Sequence, residues 1–305
     1  MKKTIFEPSA DGFYGTWYPC EQAGDTAFIM IHKLAVGRMA EGPARWFHEQ
    51  GIPIMVLAPM PEDKKEFLEY PVDRVEKAIE WMKDQGFRRF GIIGQSQTAM
   101  LSLIAASLIS DITLTVALAP CDFVMEATKT TGGVERPTDR SFAVWSGQPL
   151  PFHRFTQRGD ELSAVMKRDG KATGNMFYAR NLFAESEKEN PLTEEQMIRV
   201  ENIHGKILFI GARDDAMWDT ERYIERMRWR ITERNHSCSV ETHFYDHGTH
   251  YVFPQGVITK MLPASSFLIG LMFREGKVHK KECRQTREDI ERVVLDALRE
   301  WKKQS

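Results

Sequence analysis

Five apolar segments with no alternation of polar residues recur along the chain, and they restrict its fold more than any other feature. They are residues 27–31, 52–58, 90–94, 113–119 and 206–211. Continuous apolar runs of this length are typical of parallel strands that are buried on both faces. Segments with a helical spacing of apolar residues lie between them, so strand and helix alternate. This pattern predicts an α/β fold with a mostly parallel central sheet flanked by helices.

The helices can be placed by their apolar faces and by their start and stop residues. Pro43 can sit in the first turn of a helix that runs to Gln50. A second helix is predicted from Val72 to a stop at Gly86. In the last helical segment, residues 287–301, the apolar residues that share one face are Ile290, Val293, Val294, Ala297, Leu298 and Trp301. We expect that face to pack on the sheet.

The alternation of strand and helix breaks between about residues 122 and 200. A gap of this size between two core strands is too long for a connecting loop. We therefore predict a single domain over residues 1–305, with a cap insertion at about 122–200 that folds over the sheet. Within the insertion, the charged sequence NPLTEEQMIRVEN, which begins at Asn190, is predicted to be helical.

Charge and cysteine content exclude several classes of protein. A chain of 305 residues with a net charge of −2 has no overall field that would attract nucleic acid or anionic lipid. No apolar run approaches the roughly 18 residues of a membrane span. We predict a cytoplasmic protein with neither a nucleic-acid nor a membrane partner, and leave a homo-oligomer open. The four cysteines form no CxxC pair, so they are predicted to be reduced packing residues.

The stretch GQSQT, residues 94–98, follows one of the apolar strands and precedes a helix-forming run. It matches four of the five positions of the nucleophile-elbow pattern GxSxG, in the strand–turn–helix context that the pattern requires. Ser96 is therefore a candidate nucleophile. The alternative is that Ser96 only caps the following helix. Thr98 occupies the place of the usual second glycine.

A serine nucleophile needs a histidine base and a carboxylate to orient it, and both should follow later core strands. The segment KILFIGARDDAMW ends a strand with Asp214 and Asp215. Either aspartate can be the acid, or both can be turn residues that precede a helix and interact with its dipole.

The segment SVETHFYDHGTHYVF supplies two candidates for the base, His247 and His250. We prefer His250, because the small residues Gly248 and Thr249 allow the loop to return toward the sheet. The spacing of His243, His247 and His250 could also suggest a metal site. However, the three lie on a strand and turn, not on one helix face, and no cysteine supports them, so we predict no metal and no cofactor.

The substrate side of the site is less specific in the sequence. The backbone NH of Gln97 is the first candidate oxyanion donor, and Leu34 or its neighbour Lys33, in the loop HKLAVGRM, supplies the second. Lys33 would add positive charge at the mouth of the site. Trp145 and Phe152 are candidates to shape an acyl pocket, although packing within the cap explains them equally well.

Several segments resemble a known family. They are YPVDRVEKAIEWMKDQG, AVWSGQPLPF, ILFIGARDDAMW and YDHGTHYVFP. They are similar to the α/β-hydrolase domain shared by acyl-CoA thioesterases and bile acid-CoA:amino acid N-acyltransferase, in its short bacterial form. The resemblance implies an α/β-hydrolase fold and the triad Ser96, Asp215 and His250. The family usually has a glycine at the position of Thr98, and a glycine-rich oxyanion loop where this chain has HKLAVGRM.

From the residues and the resemblance together we expect a serine hydrolase that acts on a small acyl ester or thioester, such as an acyl-CoA, through an acyl-enzyme intermediate. One alternative is a general carboxylesterase or small-peptide hydrolase that uses the same residues. Another, of a different class, is a catalytically inactive binding protein with a hydrolase-like fold.

Overall fold

A computed structural model describes residues 2–21, 24–32, 37–58, 69–234, 238–262 and 264–303. The strands in this part of the chain are β1 (Thr4–Phe6), β2 (Gly15–Tyr18), β3 (Thr26–Ile31), β4 (Ile54–Leu57), β5 (Tyr70–Pro71), β6 (Arg89–Gln95), β7 (Ile112–Leu118), β8 (Glu126–Thr131), β9 (Val134–Ser141), β10 (Ala143–Trp145), β11 (Gln148–Pro149), β12 (Lys206–Ala212) and β13 (Ser239–Tyr245).

The helices alternate with the strands of the core. They are α1 (Pro8–Asp11), α2 (Arg38–Glu49), α3 (Asp73–Asp84), α4 (Gln97–Leu108), α5 (Glu161–Thr173), α6 (Arg180–Glu189), α7 (Thr220–Glu233), α8 (Gln255–Met261), α9 (Ser265–Met272), α10 (Arg274–Val278) and α11 (Lys280–Lys303), with a short 3-10 helix at Val200–Asn202.

The central sheet has eight strands in the order β1-β2-β4-β3-β6-β7-β12-β13. The six strands from β4 to β13 run parallel, and β1 and β2 add an antiparallel edge. The five predicted apolar segments form β3, β4, β6, β7 and β12. Their interiors are buried because helices cover both faces: α3, α4 and α7 pack on one side, and α2, α8 and α11 on the other. This is the α/β-hydrolase fold, as predicted.

The last helix behaves as its pattern predicts, since all six predicted apolar residues of α11 are buried. The start predicted for α2 at Pro43 is wrong, because the helix begins at Arg38. Its first turns pack closely against α8: a Cβ on Gly42 would lie 2.7 Å from the backbone nitrogen of Met261. This packing stabilises the turn that precedes Pro43, although Pro43 has no backbone N–H to donate to a residue of that turn.

Residues 122–200 form the hairpin β8–β9, the short strands β10 and β11, and helices α5 and α6. The helix predicted within NPLTEEQMIRVEN is absent over residues 191–199. This stretch is instead drawn into extended pairing: Val124 N donates to Gln196 O at 2.9 Å, and Ile198 N donates to Asp122 O at 2.9 Å. The assignments of one domain and of a cap stay predictions.

All four cysteines carry free thiols. Within the described residues, no helix combines the length and the apolar character needed to cross a membrane.

Candidate active site

Ser96 stands at the turn between β6 and α4, at the carboxyl edge of the parallel sheet. Its backbone has φ 62° and ψ −129°, a conformation that a non-glycine residue rarely adopts. The turn leaves no room for a side chain at Gly94, where a Cβ would lie 2.1 Å from the carbonyl oxygen of Thr98. The local sequence therefore forms a sharp elbow with the serine at its tip, as the pattern predicts.

Thr98 is built into this elbow by its hydroxyl group. The backbone N–H of Gln95 donates to Thr98 Oγ1 at 2.9 Å, and the same Oγ1 donates to the carbonyl oxygen of Gln95 at 2.9 Å. These two hydrogen bonds tie the first turn of α4 to the end of β6. The β-branched residue thus fits at the position where the family usually has glycine.

His250 follows β13 and reaches the serine. Its Nε2 lies 2.7 Å from Ser96 Oγ, and its Nδ1 lies 2.9 Å from both carboxylate oxygens of Asp215. Gln95 Nε2 donates to the carbonyl oxygen of His250 at 2.6 Å. The ring is further held by Trp218, which meets it edge to face with 4.8 Å between ring centroids. With Nδ1 protonated toward the carboxylate, Nε2 is free to accept the serine proton.

The two adjacent aspartates have different partners. Asp215 is 1% exposed and accepts hydrogen bonds from Met217 N at 2.8 Å and Thr220 Oγ1 at 2.5 Å, in addition to its contact with His250. Asp214 contacts the histidine loop through its backbone: its Oδ1 accepts from Gly248 N at 3.0 Å and from Thr249 N at 2.7 Å. Burial raises the pKa of Asp214, although the two backbone donors oppose the shift.

A known protein family matches the part of the chain that contains this geometry. The family model described as BAAT / acyl-CoA thioester hydrolase C terminal matches residues 70–259, more than half of the chain. The chain belongs to this family. The matched range contains Ser96, Asp215 and His250, and membership indicates an enzyme of the hydrolase class with a small-molecule substrate.

Solved structures of similar fold are distant in sequence. An esterase from Pyrococcus furiosus is 13% identical over 90% of this chain and 94% of its own, with a TM-score of 0.45. Est1E from Butyrivibrio proteoclasticus is 12% identical over 88% and 98%, with a TM-score of 0.44. An acylaminoacyl peptidase from Pyrococcus horikoshii is 12% identical over 85% of this chain but only 38% of its own, with a TM-score of 0.46. No curated protein matches the chain. Likeness at this level carries no information on the substrate.

The other histidine of the segment YDHGTHYVFP, His247, does not reach the serine. Its ring stacks on His279 with 3.8 Å between centroids, and its Nδ1 lies 3.8 Å from Asp214 Oδ2. His243 is hydrogen-bonded to Glu241 at 2.7 Å. His243, His247 and His250 therefore do not converge on one point.

A different group could offer ligand atoms to a metal within the described residues. The atoms of His247, Glu275 and His279 all lie within 4.8 Å of one another. The planes of the two imidazoles are only 12° apart, so an ion in the plane of one ring lies outside the plane of the other. The sequence pattern did not find this group, because Glu275 and His279 are far from His247 in the chain.

Two groups of predicted site residues remain, the oxyanion donors and the pocket residues. The N–H of Gln97 belongs to the first turn of α4, where backbone donors have no acceptor within the helix. Leu34 and Lys33 lie outside the described residues. Trp145 and Phe152 are half-buried and pack against the core on the α4 side of the sheet, so their assignment to the substrate pocket stays a prediction.

Sequence reasoning missed two features that support the histidine. They are the amide of Gln95 and the ring of Trp218. Trp218 follows Asp215 by three positions in the motif ARDDAMW, which is a signal that could have suggested a contact with the base.

Proposed function

We propose that this chain is a serine hydrolase that cleaves an ester or thioester of the acyl-CoA type through an acyl-enzyme intermediate, as a cytoplasmic enzyme. The observation that carries the proposal is the continuous contact from Ser96 Oγ to His250 Nε2 at 2.7 Å, and from His250 Nδ1 to Asp215 at 2.9 Å. The family match supports the choice of an acyl thioester as substrate.

The chemistry proceeds in two steps. Ser96 Oγ attacks the carbonyl carbon of the substrate while His250 takes the hydroxyl proton, and Asp215 stabilises the imidazolium that forms. The C–O or C–S bond then breaks, and the leaving group receives the proton from His250. In the second step His250 deprotonates a water molecule that attacks the acyl-enzyme, which releases the acid and restores Ser96.

The elbow supports stabilisation of the intermediate. The N–H of Gln97 is the donor next to the nucleophile, and loss of a single oxyanion-hole donor costs roughly 3–4 kcal/mol of transition-state stabilisation in other serine hydrolases. The hydroxyl of Thr98 holds this turn to the end of β6, which favours a competent elbow over the inactive binding protein considered above.

Labelling with a fluorophosphonate probe tests the nucleophile. We expect covalent labelling of the wild type and none of Ser96→Ala. Ser107→Ala is a matched control, since Ser107 lies on the same helix and its hydroxyl donates to the carbonyl oxygen of Ile104 at 2.8 Å. Absence of labelling in the wild type, or equal labelling of Ser96→Ala, would reject the proposal.

The substrate class needs a separate measurement. We expect kcat/KM for acyl-CoA thioesters to exceed kcat/KM for p-nitrophenyl esters of the same acyl chain. Equal or lower values for the thioesters would leave a serine esterase and remove the thioesterase assignment.

A further inference from the structure

Exposed apolar side chains concentrate on one part of the surface. Eight large apolar residues are exposed by 40% or more among the residues that the structure describes, and five of them lie within 176–177 and 267–278. These five are Met176, Phe177, Phe267, Leu271 and Val278, and we call them the apolar face. Met176 and Phe267 are 63% and 62% exposed. Scattered single residues of this kind are ordinary, but a cluster indicates an interaction surface.

Direct contacts join the segments that carry these residues. Met176 N donates to the carbonyl oxygen of Met272 at 2.8 Å, next to Leu271. The ring of Phe177 lies 6.4 Å from that of Phe273. Phe267 and Leu271 are four residues apart on α9, so both point to the same side of the helix.

Helix α10, which carries Val278, packs closely on α9. A Cβ on Gly270 would lie 3.3 Å from the carbonyl oxygen of Gly276, so the backbones of the two helices are nearly in contact. The segment 174–178 is joined to the same place, because Arg274 N donates to Asn175 Oδ1 at 2.9 Å. The five exposed apolar residues therefore belong to one continuous structural unit.

Positive charge borders the apolar face. The segment REGKVHKKECR, residues 274–284, contains five Lys or Arg residues and two Glu residues, although the chain as a whole has a net charge of −2. Lys277, Lys280 and Lys281 are exposed. Glu275 contacts Arg274 at 3.7 Å and His279 at 3.4 Å, and Arg284 contacts Glu288 at 2.8 Å. The excess positive charge of the segment therefore resides mainly on the three lysines.

A cleft of about 840 Å³ lies beside the same face. Three cations line it, Lys171, Arg180 and Arg274, and three carboxylates do so too: Glu275 and the two aspartates that follow β12, Asp214 and Asp215, whose turn we call the acid loop. The basic and apolar surface thus adjoins the loop that carries the partner of His250.

We propose that the apolar face and its border of lysines bind the surface of an anionic phospholipid membrane. Aromatic and aliphatic side chains next to exposed lysines match the boundary between acyl chains and charged headgroups. Attachment there would be peripheral, and it would bring the acid loop and its cleft close to a source of acyl lipid. This inference departs from the absence of a membrane partner that net charge predicts, because charge and apolar exposure are concentrated locally.

Vesicle sedimentation tests the proposal with the full chain. The probes are vesicles of phosphatidylcholine alone and of phosphatidylcholine with 30% phosphatidylglycerol. We expect binding to the anionic vesicles only, and a loss of binding as salt is raised from 0.1 to 0.5 M. Lys280→Gln/Lys281→Gln should reduce the partition coefficient about 25-fold, at about fivefold for each lysine near the surface.

Removal of the apolar contribution is the second arm of the experiment. Phe267→Ser/Leu271→Ser should lower binding at least tenfold, whereas Trp229→Ser, which changes a residue 67% exposed on α7, should bind as the wild type does. Ser96→Ala should also bind as the wild type, so the result is independent of the proposed chemistry. Near-ultraviolet circular dichroism verifies that each variant is folded.

Three outcomes would overturn the proposal. They are a lack of binding to anionic vesicles at low salt, unchanged binding by Phe267→Ser/Leu271→Ser, and equal loss of binding by Trp229→Ser. Light scattering of the same proteins tests whether the apolar face binds a second copy of this chain instead. If the wild type is a dimer that does not bind vesicles, and Phe267→Ser/Leu271→Ser is a monomer, the face is a dimer interface.

Discussion

The two adjacent aspartates can be separated by one identical substitution at each position. In the wild type, His250 Nδ1 lies 2.9 Å from the carboxylate of Asp215. In Asp215→Asn, an amide group replaces one carboxylate oxygen and faces Nδ1. The amide favours the wrong tautomer of the ring and cannot stabilise the imidazolium. Replacing the carboxylate in an arrangement of this kind costs about 10⁴ in kcat, equal to roughly 5.5 kcal/mol of transition-state free energy.

Asp214→Asn is the matched control. Both loop donors, Gly248 N and Thr249 N, bond to Oδ1 at 3.0 and 2.7 Å, and an asparagine can keep that oxygen in place, although it loses the longer contact of 3.2 Å from Gly248 N to Oδ2. The loss is then limited to the weakening of charge-assisted hydrogen bonds, on the order of 1 kcal/mol of stability. Even if the whole of this loss appeared in the transition state, kcat/KM would fall by less than about tenfold.

The assay is kcat/KM for a p-nitrophenyl ester, measured with both variants and the wild type, together with the thermal midpoint of each. Comparable thermal midpoints would show that the difference in activity is not caused by unfolding. The reasoning is refuted if Asp214→Asn is the variant that loses three orders of magnitude, or if Asp215→Asn keeps a tenth of the wild-type activity.

Three further predictions follow from the elbow and from one ion pair. Thr98→Val removes the hydroxyl that bonds Gln95, so it should lower the unfolding free energy by about 1–3 kcal/mol and also lower kcat. Thr98→Ser retains the hydroxyl and should keep the stability and the kcat of the wild type. Equal stability and equal kcat in the two variants would contradict this prediction. Gly94→Ala places a Cβ 2.1 Å from a backbone oxygen, and the displaced elbow should lower kcat/KM by at least about 100-fold; near-normal activity would show that the turn can relax. The hydrogen bond from Arg230 lowers the pKa of Glu194 from 4.5 to about 2, so its stabilising contribution is present above pH 4.5 and is lost as pH falls toward 2. Urea unfolding of Glu194→Gln should therefore depend less on pH in that range than the wild type, and parallel pH profiles would argue against it.

The fold could be predicted because its signals are local. Apolar runs such as residues 206–211 specify buried parallel strands wherever they occur, and the glycine and serine at 94 and 96 specify a strand–turn–helix elbow within a few residues. The segment at 191–199 shows the limit of such reasoning. Its helical composition is overridden by backbone pairing with residues 122–124, which are about 70 positions away along the chain.

The sequence by itself determined the parallel sheet, the elbow at Ser96, and the order in which serine, acid and histidine occur along the chain. The family resemblance implied Asp215 as the acid, but the residues themselves left both aspartates open, and the tertiary structure decided which of them meets the ring. Asp214 and Asp215 are adjacent, and their side chains leave the turn in different directions, so their roles depend on where β13 delivers its loop beside the end of β12. With the two loops in this position, Asp215 contacts the His250 ring and Asp214 contacts the backbone at Gly248. The sequence pattern of neither strand alone specifies how the two loops lie relative to each other.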